Sequence, residues 1–262
     1  MKNSKSDSFL KLIKILKELR SPDGCDWDKE QTHKSLIPYL TEETYEVIEA
    51  IENNDSKALK EELGDLLLHV LFQAELSSEK GEFDIFDSLE SINNKLINRH
   101  PHVFNKDSNG VTWQKGSWEK SKKKEKNRDS VLEGVPKSLP GLLRSRRIQE
   151  RAASVGFDWK EVEPIIDKVE EELEEVKDAI NQKDKNQISM ELGDLMFAVV
   201  NLSRFYNIDP ESALKKSTNK FIRRFNKIEK RISKSGDSME NSDLETMDKI
   251  WDEIKLDEKN NY

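Results

Sequence analysis

Apolar positions along this chain fall at helical spacing and not in alternation. Phe9, Ile13, Leu16 and Leu19 recur every three or four residues with lysines between them, the pattern of an amphipathic helix. The same periodicity predicts helices over about 6–20, 33–53, 56–80, 84–99, 139–154, 161–182, 184–206, 210–234 and 241–256. Breaker residues separate them: SPDG at 21–24, NND at 53–55, Gly81, HPH at 100–102, and Pro210 just inside its helix.

Two of these helices break their own pattern. Residues 190–205, MELGDLMFAVVNLSRF, place Glu191, Gly193 and Asp194 near the start of an apolar run. Glycine costs a helix interior about 1 kcal/mol relative to alanine. A bare carboxylate between Leu192, Leu195 and Met196 is unfavourable once water is excluded. Residues 61–72, EELGDLLLHVLF, repeat the anomaly.

The echo extends further. EETYE at 42–46 returns as EELEE at 171–175, and ELGDLL at 62–67 as ELGDLM at 191–196, each 129 residues later. GCDWDKE at 24–30 resembles GFDWKEV at 156–162, KLINR at 95–99 resembles KFIRR at 220–224, and WEKSK at 118–122 resembles WDEIK at 251–255. Blocks recurring in one order at nearly constant offset mark a tandem duplication. The expected fold class is all-α, with two tandem helical-bundle repeats at 1–118 and 139–262. Between them, 119–138 reads as a solvated charged linker, with KSKKKEKNRDS offering an alternative contact for an anion.

Composition narrows the classes. Charged residues reach 37%, apolar ones only 34%, and 262 residues include just 10 Gly and 7 Pro, which favours long solvated helices over a turn-rich β-sandwich. A net charge of −8 argues against nonspecific nucleic-acid binding. The single cysteine, Cys25, cannot pair internally and suits a reducing compartment. No apolar window is long enough to span a membrane and the N-terminus does not read as a signal peptide, so a cytoplasmic protein is expected.

The candidate chemistry lies in the carboxylates. Glu171, Glu172 and Glu175 share a helix face, as do Glu191 and Asp194. A short turn at 182–185 makes the two helices antiparallel neighbours. Glu175 and Glu191 are each eight residues from position 183, so they lie side by side. The N-terminal copy mirrors this about position 54 with Glu42, Glu43, Glu46, Glu62 and Asp65. Like charges 4 Å apart repel by roughly 4 kcal/mol at an effective dielectric near 20, and a hard divalent cation removes that conflict. All-oxygen ligands point to Mg²⁺ or Mn²⁺ and away from zinc.

Basic and aromatic residues accompany each cluster. Lys220 and Arg224 are one turn apart, and so are Lys95 and Arg99. Both pairs suit phosphate clamping, or a solvated basic face. Trp251 and Trp118 either stack on a nucleobase or cap a core. Lys168, one turn before Glu172, has Tyr39 as its counterpart, so only the second repeat carries this extra cation. Glu30-x-x-His33 occurs once, where a di-iron bundle needs two such motifs. His100-Pro-His102 reads as a helix-end turn.

Taken together, E-E-x-x-E followed by E-x-x-D, twice, resembles the all-α nucleoside triphosphate pyrophosphohydrolases, and the tandem form resembles the MazG family. LRSPDGCDWDKEQT, RHPHVF and SLPGLLRSRRIQERAASVGFDW extend that resemblance over most of the chain. It implies a helical-bundle homodimer that hydrolyses NTPs or dNTPs to monophosphate and pyrophosphate in nucleotide-pool control, with Mg²⁺ required and Mn²⁺ a possible substitute. On this reading Glu172, Glu175, Glu191 and Asp194 hold metal, and Glu171 orients or deprotonates water. Lys168, Lys220 and Arg224 contact phosphates, and Trp251 contacts the nucleotide. The C-terminal repeat is then the principal active site, with Glu42, Glu43, Glu46, Glu62 and Asp65 a second metal site and Lys95 and Arg99 a second phosphate site. Gly193 is expected to let a neighbouring helix or the nucleotide come close. A cation-binding scaffold and a phosphohydrolase releasing orthophosphate are the competing classes.

Overall fold

The computed structural model describes residues 4–104 and 129–260, and those residues contain helices and turns with no strand. The chain divides into two compact units, Met1–Thr112 and Trp113–Tyr262. The first holds α1 (Ser4–Leu19), α2 (Asp26–Glu30), α3 (Ile37–Glu52), α4 (Ser56–Ser78), α5 (Ile85–Arg99) and the single turn α6 (Pro101–Phe104). The second holds α7 (Gly141–Ala153), α8 (Glu163–Gln182), α9 (Lys185–Phe205), α10 (Pro210–Lys234) and α11 (Leu244–Asn260).

Each unit is built around one helical hairpin, α3–α4 and α8–α9. The two turns are the same device. Asn54 and Lys183 take the left-handed conformation, with φ of 54° and 59°, and end the first helix of each hairpin. The next residue, Asp55 or Asp184, caps the second helix by accepting hydrogen bonds from two backbone N–H groups, which satisfies donors no helical carbonyl reaches. Identical turns give both hairpins identical registers.

Three helix boundaries differ from expectation for local reasons. Pro38 and Pro164 lack an N–H and fit only the first turn of a helix, so α3 begins at Ile37 and α8 at Glu163. α11 continues through Asn260 because Ile254 seals a small core against Ile228 and Ile232 of α10. The short helix α6 starts inside the HPH breaker, and α2 lies between the SPDG breaker and the helix expected from 33.

In the first unit α1 packs on α4 and buries Leu16, Leu36, Leu71, Phe72, Ala74, Leu76 and Ile85. In the second, α7 rests on α9 and α10, pinned where the Gln149 amide donates to the Phe197 carbonyl at 2.8 Å. Buried Arg151 donates to the carbonyl of Glu133, tying residues of the expected linker's end to α7. Linker residues 119–128 and Trp118 lie outside the described residues. Several helices keep apolar stripes exposed: Phe86, Leu89, Ile92 and Leu96 on α5, and Leu214, Phe221 and Ile222 on α10. Among the described residues no helix is long and apolar enough to cross a membrane.

Candidate metal centres

The hairpin register brings three carboxylates together in each unit. Glu43 and Glu46 of α3 meet Glu62 of α4, and Glu172 and Glu175 of α8 meet Glu191 of α9. Within each triad one oxygen per residue lies within 4.8 Å of the others. The two triads correspond residue for residue across the repeat. Glu42, Glu171, Asp65 and Asp194 stand on the same helices, exposed and outside the triads.

Glu172 is the most telling member. It is 5% exposed. Its Oε1 accepts the Lys168 ammonium at 2.7 Å, while its Oε2 is buried without a hydrogen-bond partner. A buried carboxylate oxygen left unpaired is costly, and a cation at the triad would satisfy it. Glu175 is held above the ordinary carboxylate range by lost hydration first, then by the charges of Glu172 and Glu191. Glu43 and Glu62 are raised in the same way, with Glu46 and Asp65 as the repelling neighbours. Oxygen-only donors that resist carrying their charges together fit a hard divalent cation.

Lys168 joins the C-terminal triad as well as bordering it. Its Nζ lies 3.0 Å from Glu171 Oε1, and its pKa is pushed upward, chiefly by Glu172 and then Glu171. The Gln187 amide donates to Glu191 Oε1 at 3.1 Å. At Gly193 the structure departs from one half of the expectation, the close approach of a neighbouring helix: a Cβ built there, or on Gly64, would meet nothing within 4 Å. Among the described residues no neighbour presses on either glycine.

Sequence reasoning passed over His69. Its Nε2 stands 3.9 Å from Glu43 Oε1, its Nδ1 is buried and unpartnered, and burial lowers its pKa against the pull of Asp65. Tyr39 stacks on it at 6.3 Å, and Trp27 meets Tyr39 edge-on at 5.8 Å. The signal was present, because Glu62, Asp65 and His69 are spaced three and four apart on one helix face. The C-terminal repeat has Ala198 there. The two centres therefore differ at flanking positions, among them Tyr39 against Lys168, His69 against Ala198 and Ala58 against Gln187.

The remaining basic candidates lie on α5 and α10. Arg224 donates through Nε to Glu258 at 2.9 Å and lies over the Trp251 ring at 5.3 Å. Trp251 is half-buried against the Ile228, Ile232 and Ile254 core, 5.4 Å from Phe221. Lys220 is exposed on the same helix, and Lys95 and Arg99 lie half-buried on α5. Among the described residues Arg224 thus contacts Glu258 through Nε and Trp251 through its guanidinium. Glu258 carried no signal in the sequence, since its role depends on how α11 packs on α10.

Comparison with known proteins agrees with the duplication. Residues 31–104 and 160–228 match the profile described as the MazG nucleotide pyrophosphohydrolase domain, so each match covers one carboxylate hairpin. The chain is 48% identical to the nucleoside triphosphate pyrophosphohydrolase/pyrophosphatase MazG of Thermotoga maritima, across 94% of this chain and 95% of that protein. It is 44% identical to the nucleoside triphosphate pyrophosphohydrolase of Escherichia coli, across 95% and 97%. An uncharacterized Bacillus subtilis protein is 44% identical across 94% of this chain and 51% of its own length.

Proposed function

The chain belongs to the MazG nucleotide pyrophosphohydrolase family, and on that premise we propose that it hydrolyses nucleoside triphosphates between the α and β phosphates. The products are a nucleoside monophosphate and pyrophosphate. The observation that carries this reading is the C-terminal triad, where Glu172, Glu175 and Glu191 converge and a buried Glu172 oxygen has no hydrogen-bond partner among the described residues.

Glu172, Glu175 and Glu191, with Asp194 beside them on α9, are assigned to Mg²⁺, for which Mn²⁺ can substitute. The ion would supply positive charge against the phosphate oxygens. Glu171 is assigned to the water: its carboxylate accepts the proton as the water oxygen bonds to the α-phosphorus. The bond from that phosphorus to the oxygen bridging to the β-phosphorus breaks, and pyrophosphate leaves with the bridging oxygen. Lys168 is tethered to Glu171 and Glu172, a position that suits holding a phosphate oxygen once the triad's charge is met. Lys220 and Arg224 are assigned to phosphates and Trp251 to the nucleotide. Glu42, Glu43, Glu46, Glu62 and Asp65, with Lys95 and Arg99, form the corresponding second site.

A homodimer is part of this proposal. Exposed apolar stripes on α5 and α10 are of the kind that mark protein–protein contact. Incubation with ATP and Mg²⁺ tests the reaction. Pyrophosphate with AMP is expected. Orthophosphate with ADP, or no turnover with either Mg²⁺ or Mn²⁺, would overturn it.

A further inference from the structure

Glu258 belongs to none of the groups assigned above, yet it is the most heavily engaged carboxylate of α11. Its Oε2 accepts from Arg224 Nε at 2.9 Å and its Oε1 from Lys227 Nζ at 2.9 Å, with Arg223 Nε at 3.6 Å. Those partners, Lys227 before Arg224, hold its pKa down at about 2.

The way it grips Arg224 matters. Glu258 takes the Nε–H, and neither Nη makes a hydrogen bond among the described residues. The Arg224 Cζ lies over the Trp251 ring at 5.3 Å, a cation–π contact that favours its charge. One carboxylate and one ring therefore restrain Arg224, whose side chain is 17% exposed, while its two Nη groups keep their hydrogen bonds to give. Such a pair can meet two oxygens of a phosphate in parallel.

Docking of α11 does not need this contact. Arg231 pairs with Glu253 and Asp257 at 2.8 Å each, and Ile228, Ile232 and Ile254 close the apolar seam. A helix staple would be as well served by Lys227 alone.

We propose that Glu258 is a positioning residue that holds Arg224 through Nε, with Trp251 beneath it, so that its Nη pair meets the triphosphate as a preformed fork. This rests on the reading that Arg224 contacts phosphate. Preordering removes the cost of immobilising a long side chain on binding, so the effect falls on substrate affinity more than on the chemical step.

The test uses the full-length protein with ATP and Mg²⁺, following pyrophosphate release and thermal unfolding. Glu258→Gln is expected to raise KM about three- to tenfold while kcat stays within about twofold. Glu258→Asp, which keeps the charge with a shorter reach, should fall between, and it replaces the Gln variant if that one does not fold. Arg224→Ala should raise KM at least as much, and adding Glu258→Gln to it should change nothing more. If Arg224→Ala is impaired while Glu258→Gln keeps the wild-type KM, the positioning role is wrong and the phosphate role of Arg224 stands. An effect of Glu258→Gln that persists in full without Arg224 also refutes positioning. Wild-type kinetics for Arg224→Ala would remove the phosphate reading and the proposal with it.

Discussion

The Lys168 ammonium lies 2.7 Å from Oε1 of Glu172, one helical turn away, so the most buried carboxylate of the C-terminal triad leans on a cation supplied by its own helix. That lysine has a second neighbour, Glu171, at 3.0 Å. A cation at the triad would take over part of the neutralisation and leave the ammonium free to face a phosphate.

Lys168→Ala should therefore act in two ways. Without metal, Glu172 would be buried with neither oxygen paired. The loss should be modest, about 1 kcal/mol or a few °C in Tm, because Lys168 is itself 39% exposed and screened by solvent. With Mg²⁺ the thermal gain should exceed that of the wild type, and pyrophosphate release should fall at least about tenfold. Melting curves with and without Mg²⁺ check the first part; an unchanged metal-induced shift would show that Lys168 does not stand in for the cation.

The two centres should not contribute equally. Tyr39 replaces Lys168 at the N-terminal triad and offers a neutral hydroxyl, and His69 crowds Glu43 where the other copy has Ala198. Glu175→Gln is expected to lower kcat by roughly a hundredfold, and Glu46→Gln by no more than a few-fold. Pyrophosphate release from each variant decides it. Loss of activity with Glu46→Gln alone would reverse the assignment and make the N-terminal centre the working one.

Metal binding should weaken in mild acid. Lost hydration and then like charge hold Glu43, Glu62 and Glu175 above the ordinary carboxylate value of 4.5. A carboxyl whose folded pKa is raised favours the folded metal-free state below that ordinary value, and the favour is lost as pH rises through the folded pKa. The metal needs the ionised groups, so its binding releases protons. The Mn²⁺-induced rise in Tm should shrink between about pH 7.5 and pH 5, with proton release to the buffer on metal binding seen in calorimetry. A shift that stays constant over that range would mean the cation binds elsewhere.

Much of this site could be read from residue spacing, for a definite reason. Glu175 and Glu191 are equidistant from Lys183, and an antiparallel hairpin converts equal distance from a turn into adjacency. The Glu46–Glu62 pair obeys the same rule about Asn54. Repetition then separated the pattern from the other acids of a highly charged chain. What spacing could not reach was contact between helices that are not hairpin partners. Glu258 and Arg224 meet only because α11 folds back on α10, and no period in either helix encodes that. His69 lies between these cases: it continues the face of Glu62 and Asp65, but its burial comes from packing beside Tyr39 and Glu43. The helix starts at Ile37 and Glu163 were encoded in Pro38 and Pro164, which outweigh the apolar rhythm that runs past them.

The exposed stripe on α5 gives the homodimer a direct test. Leu89, Ile92 and Leu96 lie three and four residues apart on one face, each about two-fifths exposed, with Phe86 half exposed one turn before them. A helix with its apolar face open to water has lost the burial that stabilises most helices in proteins. Covering these side chains removes that area from solvent, at about 25 cal/mol per Å². A charge at the centre of the stripe would be buried without a partner in the dimer and fully hydrated in the monomer. Ile92→Glu should therefore leave the helical content of the monomer intact and shift the mass by light scattering from twice 30.5 kDa to 30.5 kDa. If the substituted protein keeps the wild-type mass, the α5 stripe is not part of the interface. If the wild type already runs at 30.5 kDa at micromolar concentration, the homodimer itself is wrong.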